Sequence, residues 1–400
     1  METELGAKIL SALRKQAEGI KNYHLFGMGK NSKFDLATFF GTLIEAAILR
    51  FSPEEVALNS GQHCPDTLYH HLNNKAKVEE IEKMLEASVS HRDIVILRRQ
   101  LGNKRIWIAI DFTDEMFYGE KTTDGVVGTK RKSGSNYAFR YMTVNIVTPK
   151  GRFLIWAYPM FSRKETLWLL NRALEKIGKL GLTPHLILLD REFNSTDLLA
   201  LIGEKYKYIT PADQDEKFRR HIKGKELPAH CDDWRIANSI GEEISTRLVV
   251  LEEKKHKYGY LTNLPVGFFR ENAYILSEFY SKRWGIETAH RCEDKFRIST
   301  TCKTAAVRYL YFVIGVLLYN LWVWLNFFFD FDTCGEHLTI AWMKRKLAEI
   351  FEEFRIFMKS PQRWFGFMVD EKIGGGVSAC LLGQPSPPVA VACLPFISRQ

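Results

Sequence analysis

The sequence lacks the patterns that mark a secreted, disulfide-bonded or zinc-binding protein. Its seven cysteines form no CxxC pair, which argues against a disulfide framework or a zinc ribbon and favours a reducing compartment. The opening stretch METELGAKILSALRKQ mixes charge into an amphipathic pattern without an apolar centre, so no secretory signal peptide is expected. No internal repeat of roughly 20–50 residues is visible either. We therefore expect a cytoplasmic globular protein.

Long, strongly apolar stretches are also scarce, and the candidate is Tyr309 to Phe329, a run of twenty-one residues without a charge. By length alone, this stretch could span a membrane. It contains Asn320, Asn326 and three tyrosines, and a helix that is apolar all round also lies buried in the centre of large α/β domains. We expect a buried helix and no membrane partner, with a membrane anchor as the alternative.

Composition indicates a globular chain with a basic surface. A length of 400 residues suggests two or three domains. A hydrophobic fraction of 46% and a charged fraction of 26% are ordinary for a folded protein. The net charge of +9 and the pI of about 9.0 favour a polyanionic partner.

Residues 1–100 are predicted to be all helical. Ser52, Pro53 and Glu55 combine an N-cap, a proline at the first helical position and a capping-box glutamate. A glycine turn at Gly61 and a further helix over DTLYHHLNN follow. Helix, turn and short helix resemble a helix-turn-helix, so DNA-end binding by this region is one interpretation. An ordinary helical hairpin is the other.

From about residue 101 to 211 the pattern becomes one of short apolar strands with helices between them. RIWIAIDF ends near Asp111, the runs YAFRYMTVNIVT and RFLIWAYPM suggest an antiparallel meander, and PHLILLD ends at Asp190. This order predicts an α/β layer arrangement. The loop GTKRKSGSN, with Lys130 and Lys132, is either a phosphate-contacting hairpin or a solvated turn.

The remaining chain divides into three further parts. Residues 212–262 contain strand-like pieces such as EISTRLVVLEE and are predicted to be a β-rich insertion. Residues 263–330 would complete the core, and residues 331–400 would form a C-terminal helical region with a Gly/Pro-rich, flexible tail.

The stretch from Tyr274 to Arg297 has no proline and is predicted to be a single helix of about six turns. Residues three and four apart are neighbours on a helix surface. One stripe of this helix therefore carries an aromatic hydroxyl, two basic groups and a carboxylate: Tyr280, Arg283, Glu287 and Arg291. A solvated salt-bridge face is the alternative interpretation.

Three acids are the candidate chemical groups. Asp111 and Asp190 end apolar strands that can be neighbours in the sheet, and Glu287 lies on a helix that can pack beside them. Oxygen ligands in this number suit Mg²⁺ or Mn²⁺. Two such ions can activate a water or hydroxyl and stabilise the leaving oxygen in a displacement at phosphorus.

With these residues in view, the chain resembles the DDE transposases of insertion sequences, in the group with a Tyr-Arg-Glu-Lys signature. WIAIDFTDEMFYG and LILLDREF resemble the two Asp strands, YGYLTNLP the Thr-Asn segment, and YSKRWGIETAHRCEDKF the signature helix, over roughly residues 100–330. The resemblance implies a ribonuclease-H-like mixed sheet with flanking helices, and a β insertion before the last catalytic helix. It also implies cut-and-paste DNA transposition with two divalent ions, usually by a homodimer on paired element ends.

Carried over by position, the resemblance assigns Asp111, Asp190 and Glu287 as catalytic metal ligands. Tyr280 and Arg283 match residues that hold DNA phosphate near the cleaved end. Asp294 stands at the position of the signature lysine, and basic residues nearby, Lys295 and Arg291, are the candidates for its role.

Three other classes of protein remain as alternatives to an active transposase. One is a transposase-derived DNA-binding protein without catalysis, one is a nuclease of the same fold without strand transfer, and one is a membrane protein anchored by Tyr309 to Phe329. The presence of all three acids favours the enzyme.

Overall fold

A single mixed β-sheet with helices on its faces forms the framework of the protein. The computed structural model describes residues 36–61, 64–89, 94–95, 97, 106–148, 151–237, 241–284, 294–328 and 339–357. The strands in these ranges are β1 (Trp107–Met116), β2 (Val126–Lys132), β3 (Ser135–Thr148), β4 (Gly151–Met160), β5 (Leu186–Leu189), β6 (Tyr208–Pro211), β7 (Ala229–Ala237), β8 (Glu243–Glu253) and β9 (His256–Thr262). The helices there are α1 (Leu36–Leu49), α2 (Pro53–Ser60), α3 (Pro65–Lys75), α4 (Val78–Ser88), α5 (Thr166–Lys179), α6 (Thr196–Gly203), α7 (Glu216–Ile222), α8 (Ile275–Ser281), α9 (Ala305–Phe328) and α10 (Ile340–Phe357).

The central strands confirm the predicted ribonuclease-H-like mixed sheet. Strand β3 lies antiparallel between β1 and β4, while β5 is parallel to both β1 and β6. The parallel strands need crossover connections, and α5 and α6 provide them. Strand β3 is long enough to pair with β2 along its first part and with β4 along its second part.

The basic segment predicted as a loop is largely a strand. Lys130 and Lys132 lie on β2, which pairs with β3. The reversal between the two strands is confined to Ser133 and Gly134, whose φ angles are 50° and 89°. A tight hairpin of this kind accounts for the Gly-containing sequence, because glycine adopts positive φ without a steric cost.

The strands predicted in the insertion are present, and they extend the main sheet. Strand β9 pairs antiparallel with β6, with Ile209 opposite Thr262, and β8 and β7 follow outward from β9. The outer edge of β6 would otherwise present unpaired N–H and C=O groups. Pairing with β9 satisfies them and makes the sheet continuous from β2 to β7.

The long apolar helix α9 is buried, as predicted. Its span from Ala305 to Asn326 is long and apolar enough to cross a membrane, but 89% of the apolar window lies inside the protein. Its polar side chains bond to the free edge of β4. The Asn320 amide accepts from Leu154 N at 3.1 Å and donates to Leu154 O at 2.7 Å, and Tyr309 Oη donates to Ala157 O at 2.6 Å. The helix therefore covers a sheet edge that would otherwise be open.

The N-terminal helices confirm the predicted helical region over the residues described. Ser52 caps α2, since its hydroxyl accepts from Glu55 N at 3.2 Å and its own N–H donates to the Glu55 carboxylate at 2.7 Å. Helix α4 packs against β4 and α9. These helices thus belong to the layer that covers one face of the sheet.

The predicted uninterrupted helix over residues 274–297 is wrong. The α-helix ends at Ser281, a 3₁₀ turn covers Lys282–Trp284, and a second 3₁₀ turn covers Asp294–Phe296. Residues 285–293, including Glu287 and Arg291, lie outside the described part of the chain. Helix α8 contributes Leu276 and Tyr280 to the apolar cluster on the other face of the sheet from α9.

Candidate active site

The strand register brings the two predicted aspartates together. Strands β1 and β5 are parallel, with Ile110 opposite Leu189, so Asp111 and Asp190 are the next residues along both chains. Alternate residues of a strand point to the same face, and Ala109 and Leu188 both lie in the apolar cluster that contains α8. The two carboxylates therefore project towards the α8 face. Asp111 lies in the middle of β1, because β1 continues to Met116 beside β3 after β5 has ended.

A buried arginine bridges the two carboxylates. Arg283 Nη1 lies 2.7 Å from Asp111 Oδ2, and Arg283 Nη2 lies 3.6 Å from Asp190 Oδ1. Arg283 is only 8% exposed and Asp111 is equally buried, whereas the Asp190 side chain keeps 34% of its surface in solvent. The geometry is that of a cation held between two acids at the mouth of a cleft.

The electrostatics of the site favour a charged arginine and a neutral tyrosine. Burial opposes the charge on Arg283, but Asp111, Tyr280 and Asp190 outweigh it and raise the pKa of the guanidinium above its ordinary value. Burial also raises the pKa of the Tyr280 hydroxyl. Its ring lies 5.2 Å from the guanidinium carbon, within the range of a cation–π contact. Tyr280 therefore supports Arg283 as a neutral aromatic.

Contacts on the same segment explain why the helix breaks just before Arg283. Buried Arg152 donates to the backbone carbonyl of Lys282. The Lys282 ammonium lies 4.3 Å from the centre of the Trp107 ring, and the Phe279 ring meets the same indole edge-on at 4.5 Å. The turn is thus fastened to the beginning of β1 and to β4. Because the turn is held in this way, the Arg283 guanidinium points towards Asp111 and Asp190.

A second ion-pair cluster, which the sequence analysis did not predict, supports the turn that follows Asp190. Arg140, on β3, pairs with Asp114 directly across the sheet at 2.6 Å and with Glu192 at 2.8 Å. Its guanidinium also lies over the Phe112 ring at 4.8 Å. Arg140 therefore ties the turn containing Asp190 to β1 and β3, which holds the Asp190 carboxylate in place.

A cleft of about 490 Å³ opens beside Asp190 and Arg283; we call it the acidic-pair cleft. Lys130 reaches it from β2, and half-exposed Arg191 stands directly after Asp190. Exposed Tyr258, on β9, also lines it, a residue that sequence reasoning missed. Lys132 and Lys295 are exposed, but neither lines this cleft.

The donor set fits a divalent metal ion only in part. Two carboxylates from adjacent strands suit Mg²⁺ or Mn²⁺, which bind through few protein oxygens. Within the described ranges no group of three or more His, Cys, Asp or Glu side chains could hold a metal, and Glu287 lies outside those ranges. The guanidinium of Arg283 already supplies a positive charge to both carboxylates. A metal ion would therefore share these oxygens with Arg283 or displace it.

A structural comparison supports a transposase-like fold for the mixed sheet that carries these acids. The chain superimposes on the piggyBac transposase, solved as a synaptic complex with hairpin DNA, with a TM-score of 0.52 and 12% sequence identity. The match covers 91% of this chain and 83% of that one. No protein-family model matches the sequence, and no curated protein matches it either.

Proposed function

We propose that the protein is a transposase that cuts DNA and joins strands at the ends of an insertion sequence, as in cut-and-paste transposition. The observation that carries this proposal is the pair Asp111 and Asp190, placed side by side by the β1–β5 register within a transposase-like fold. A net charge of +9 suits a polyanionic substrate. The proposal includes the insertion-sequence group with the Tyr-Arg-Glu-Lys signature, on the strength of the sequence resemblance.

In this proposal Asp111, Asp190 and Glu287 are the residues that would hold Mg²⁺ or Mn²⁺. When bound, such ions activate an attacking oxygen and stabilise the leaving oxygen at phosphorus. Arg140 keeps the Asp190 turn in position through Glu192. Asp190 is more exposed than Asp111, so the substrate phosphate would approach the pair from the cleft side, where Asp190 lies.

Basic residues around the acids would bind the DNA backbone. Buried Arg283 Nε has no hydrogen-bond acceptor within the described residues, so a phosphate oxygen entering the cleft can accept from it. Lys130 and Arg191 line the same cleft and supply further charge. Lys132, Arg291 and Lys295 are proposed as additional DNA contacts, and Tyr280 as the support for Arg283.

The larger assembly follows from the same proposal. The helical region over residues 1–100 would bind the terminal inverted repeats, and two copies would act as a homodimer on paired ends in the cytoplasm. The piggyBac neighbour was solved as a synaptic complex with hairpin DNA. Association on DNA is therefore an arrangement that this fold permits.

A transposase-derived protein that binds DNA without cutting it is the second candidate. The ion pairs of Arg283 with both aspartates favour it, because a fixed guanidinium competes with metal ions for the same oxygens. Under this reading, Arg283 would stay in place when divalent ions are added.

The deciding experiment is cleavage of labelled DNA that carries both ends of the element, with Mg²⁺ and with a chelator. We expect metal-dependent nicking at the boundary by the wild type and by Asp213→Asn, a variant in the same cleft that changes an exposed acid. Asp190→Asn and Glu287→Gln should bind the ends without cutting them. End binding by the wild type without any cleavage would favour the second candidate.

A further inference from the structure

A second cleft, separate from the acidic pair, lies beyond the far end of β1. Its volume is about 760 Å³. It is bounded by the residue after α1, by the end of β1 and the turn that follows, and by the segment that leads into α9. None of its lining residues belongs to the acidic-pair cleft. We call it the basic cleft, after its four cationic lining residues Arg50, Arg297, Lys303 and Arg308.

The positive charge of the basic cleft is only partly balanced inside the protein. Arg308 is buried and pairs with Glu115, the acid among the lining residues. Arg297 pairs with neighbouring Asp294. Exposed Arg50 and Lys303, in contrast, make no ion pair within the described part of the chain. Two cations that line the cleft therefore have no ion-pair partner among the described residues.

The pKa of a neighbouring lysine is affected by this excess positive charge. Lys344, on α10, donates to Lys295 O at 2.8 Å. Burial, followed by repulsion from Arg50 and Lys295, lowers the pKa of Lys344 to about 8. A group of cations that repel one another in the free protein gains free energy when an anion approaches. The cleft therefore favours a negatively charged ligand.

The uncharged lining groups suit a sugar–phosphate backbone. Exposed Ser299 and Thr301 bring hydroxyls, which commonly donate to phosphate oxygens. Tyr118 leaves 70% of its surface in solvent while its hydroxyl is held by Ser133 O at 3.0 Å. A fixed, exposed ring beside hydroxyls and cations offers a surface for a sugar.

The distance to the acids has the scale of a few base pairs. Glu115 lies four residues beyond Asp111 on the same strand, a separation of about 13 Å at the rise of an extended chain. Duplex DNA advances roughly 3.4 Å per base pair. A duplex that runs along β1 with its reacting phosphate at Asp111 and Asp190 would therefore pass the basic cleft about four base pairs away.

From these observations we propose that the basic cleft binds the phosphate backbone of duplex DNA about four base pairs from the reacting phosphodiester. This inference rests on the proposed function. It adds Arg50 and Lys303 as DNA-positioning residues, and both lie outside the signature helix.

The test is the salt dependence of binding to duplex DNA that carries the element end, measured by fluorescence anisotropy. The slope of log K against log salt is negative, and each lost phosphate contact reduces its magnitude by about 0.9. The double variant Arg50→Gln/Lys303→Gln should therefore reduce the magnitude of the slope by about 1.8 and weaken binding at low salt. Lys205→Gln/Arg219→Gln removes one exposed lysine and one exposed arginine that line neither cleft, and it should leave the slope unchanged.

Hydroxyl-radical footprinting on the same duplex gives the position of the contact. We expect the wild type to protect the backbone about four base pairs from the cut, and the double variant to lose that protection alone. Normal cleavage with an unchanged slope in the double variant would overturn this inference and leave the proposed function standing. A wild type that neither binds nor cuts duplex DNA would overturn both.

Discussion

Arg283 shows how a single residue acquires a role that its position in a motif does not reveal. The sequence resemblance predicts an arginine that holds DNA phosphate. The structure places its guanidinium between Asp111 and Asp190, largely out of water. Two neighbouring carboxylates repel each other, and a buried cation between them relieves that repulsion. The two roles are compatible if metal ions replace the guanidinium at the carboxylates and the guanidinium then binds the phosphate.

Removing the charge of Arg283 should destabilise the free protein. Arg283→Met leaves Asp111 buried without its partner, and breaking a buried ion pair in this way costs roughly 3 kcal/mol. We expect a lower free energy of unfolding in urea without divalent ions, and a larger stabilisation by added Mg²⁺ than in the wild type. Arg283→Lys keeps a positive charge and should lose less. Equal stability of Arg283→Met and the wild type would mean that the bridge contributes little.

Lys344 predicts a pH dependence on the alkaline side. Its pKa is lowered to about 8, whereas a lysine in water has an ordinary value of 10.5. Between these values the unfolded chain binds more protons than the folded protein, so stability rises with pH in that window. Lys344→Met lacks this titration. The stability advantage of Lys344→Met over the wild type should therefore shrink as the pH increases from 8 to 10.5, measured by urea unfolding at a series of pH values.

Among the elements, α9 and β4 illustrate how polar groups in an apolar helix gain a structural role. Asn320 presents one donor and one acceptor to Leu154, as a neighbouring strand would. Asn320→Leu would leave a buried N–H and a buried C=O unpaired, which costs about 2 kcal/mol. Leu318→Met, a volume-conserving change in the same helix, is the control and should cost less. Chemical denaturation of the two variants provides the comparison.

Helix α4 is tied to β4 and α5 through one buried acid, Glu82. Its carboxylate accepts from Trp156 Nε1 at 2.7 Å and from Arg172 Nε at 3.0 Å. Burial opposes its ionisation, but the bonds from Arg172 and Trp156 lower the pKa of Glu82 below its ordinary value of 4.5.

Because the folded-state pKa is depressed, the stability contributed by Glu82 is present above pH 4.5 and lost as the pH falls below it. Glu82→Leu leaves the Trp156 and Arg172 donors without their acceptor and should cost roughly 3 kcal/mol at neutral pH. Thermal unfolding from pH 7 to pH 3 should show this difference narrowing in acid. A difference that is constant across that range would contradict the ionised state of Glu82.

The elements also show which features local sequence can predict. The strands around Asp111 and Asp190 carry apolar runs of strand length, and the capped start at Ser52 has a local signature, so both were predictable. The break after Ser281 was not, because the contacts that fasten it come from Arg152 and Trp107, far away in sequence. Distant contacts of this kind override helix propensity. The Arg283 bridge escaped prediction for the same reason.

At the level of the whole molecule, the sheet makes the acidic site depend on long-range pairings. Strands β7 to β9 extend the sheet beyond β6, and α8 covers the face formed by β1, β5, β6, β8 and β9. Leu264 and Phe269, in the segment between β9 and α8, pack on the same face. Sequence patterns predicted these strands but not their partners, since pairing of β6 with β9 has no local signature.

That dependence has a consequence for the order in which the protein is made. A ribosome releases Asp111 first, Asp190 about eighty residues later and Arg283 last, at positions read directly from the chain. Parallel pairing of β1 with β5 has to wait for the intervening chain, and such non-local contacts form slowly. Until Arg283 emerges, the nascent chain holds two adjacent acids without their buried counter-charge. The site formed by the two acids and Arg283 is therefore completed late in synthesis, and interrupted translation products would lack it.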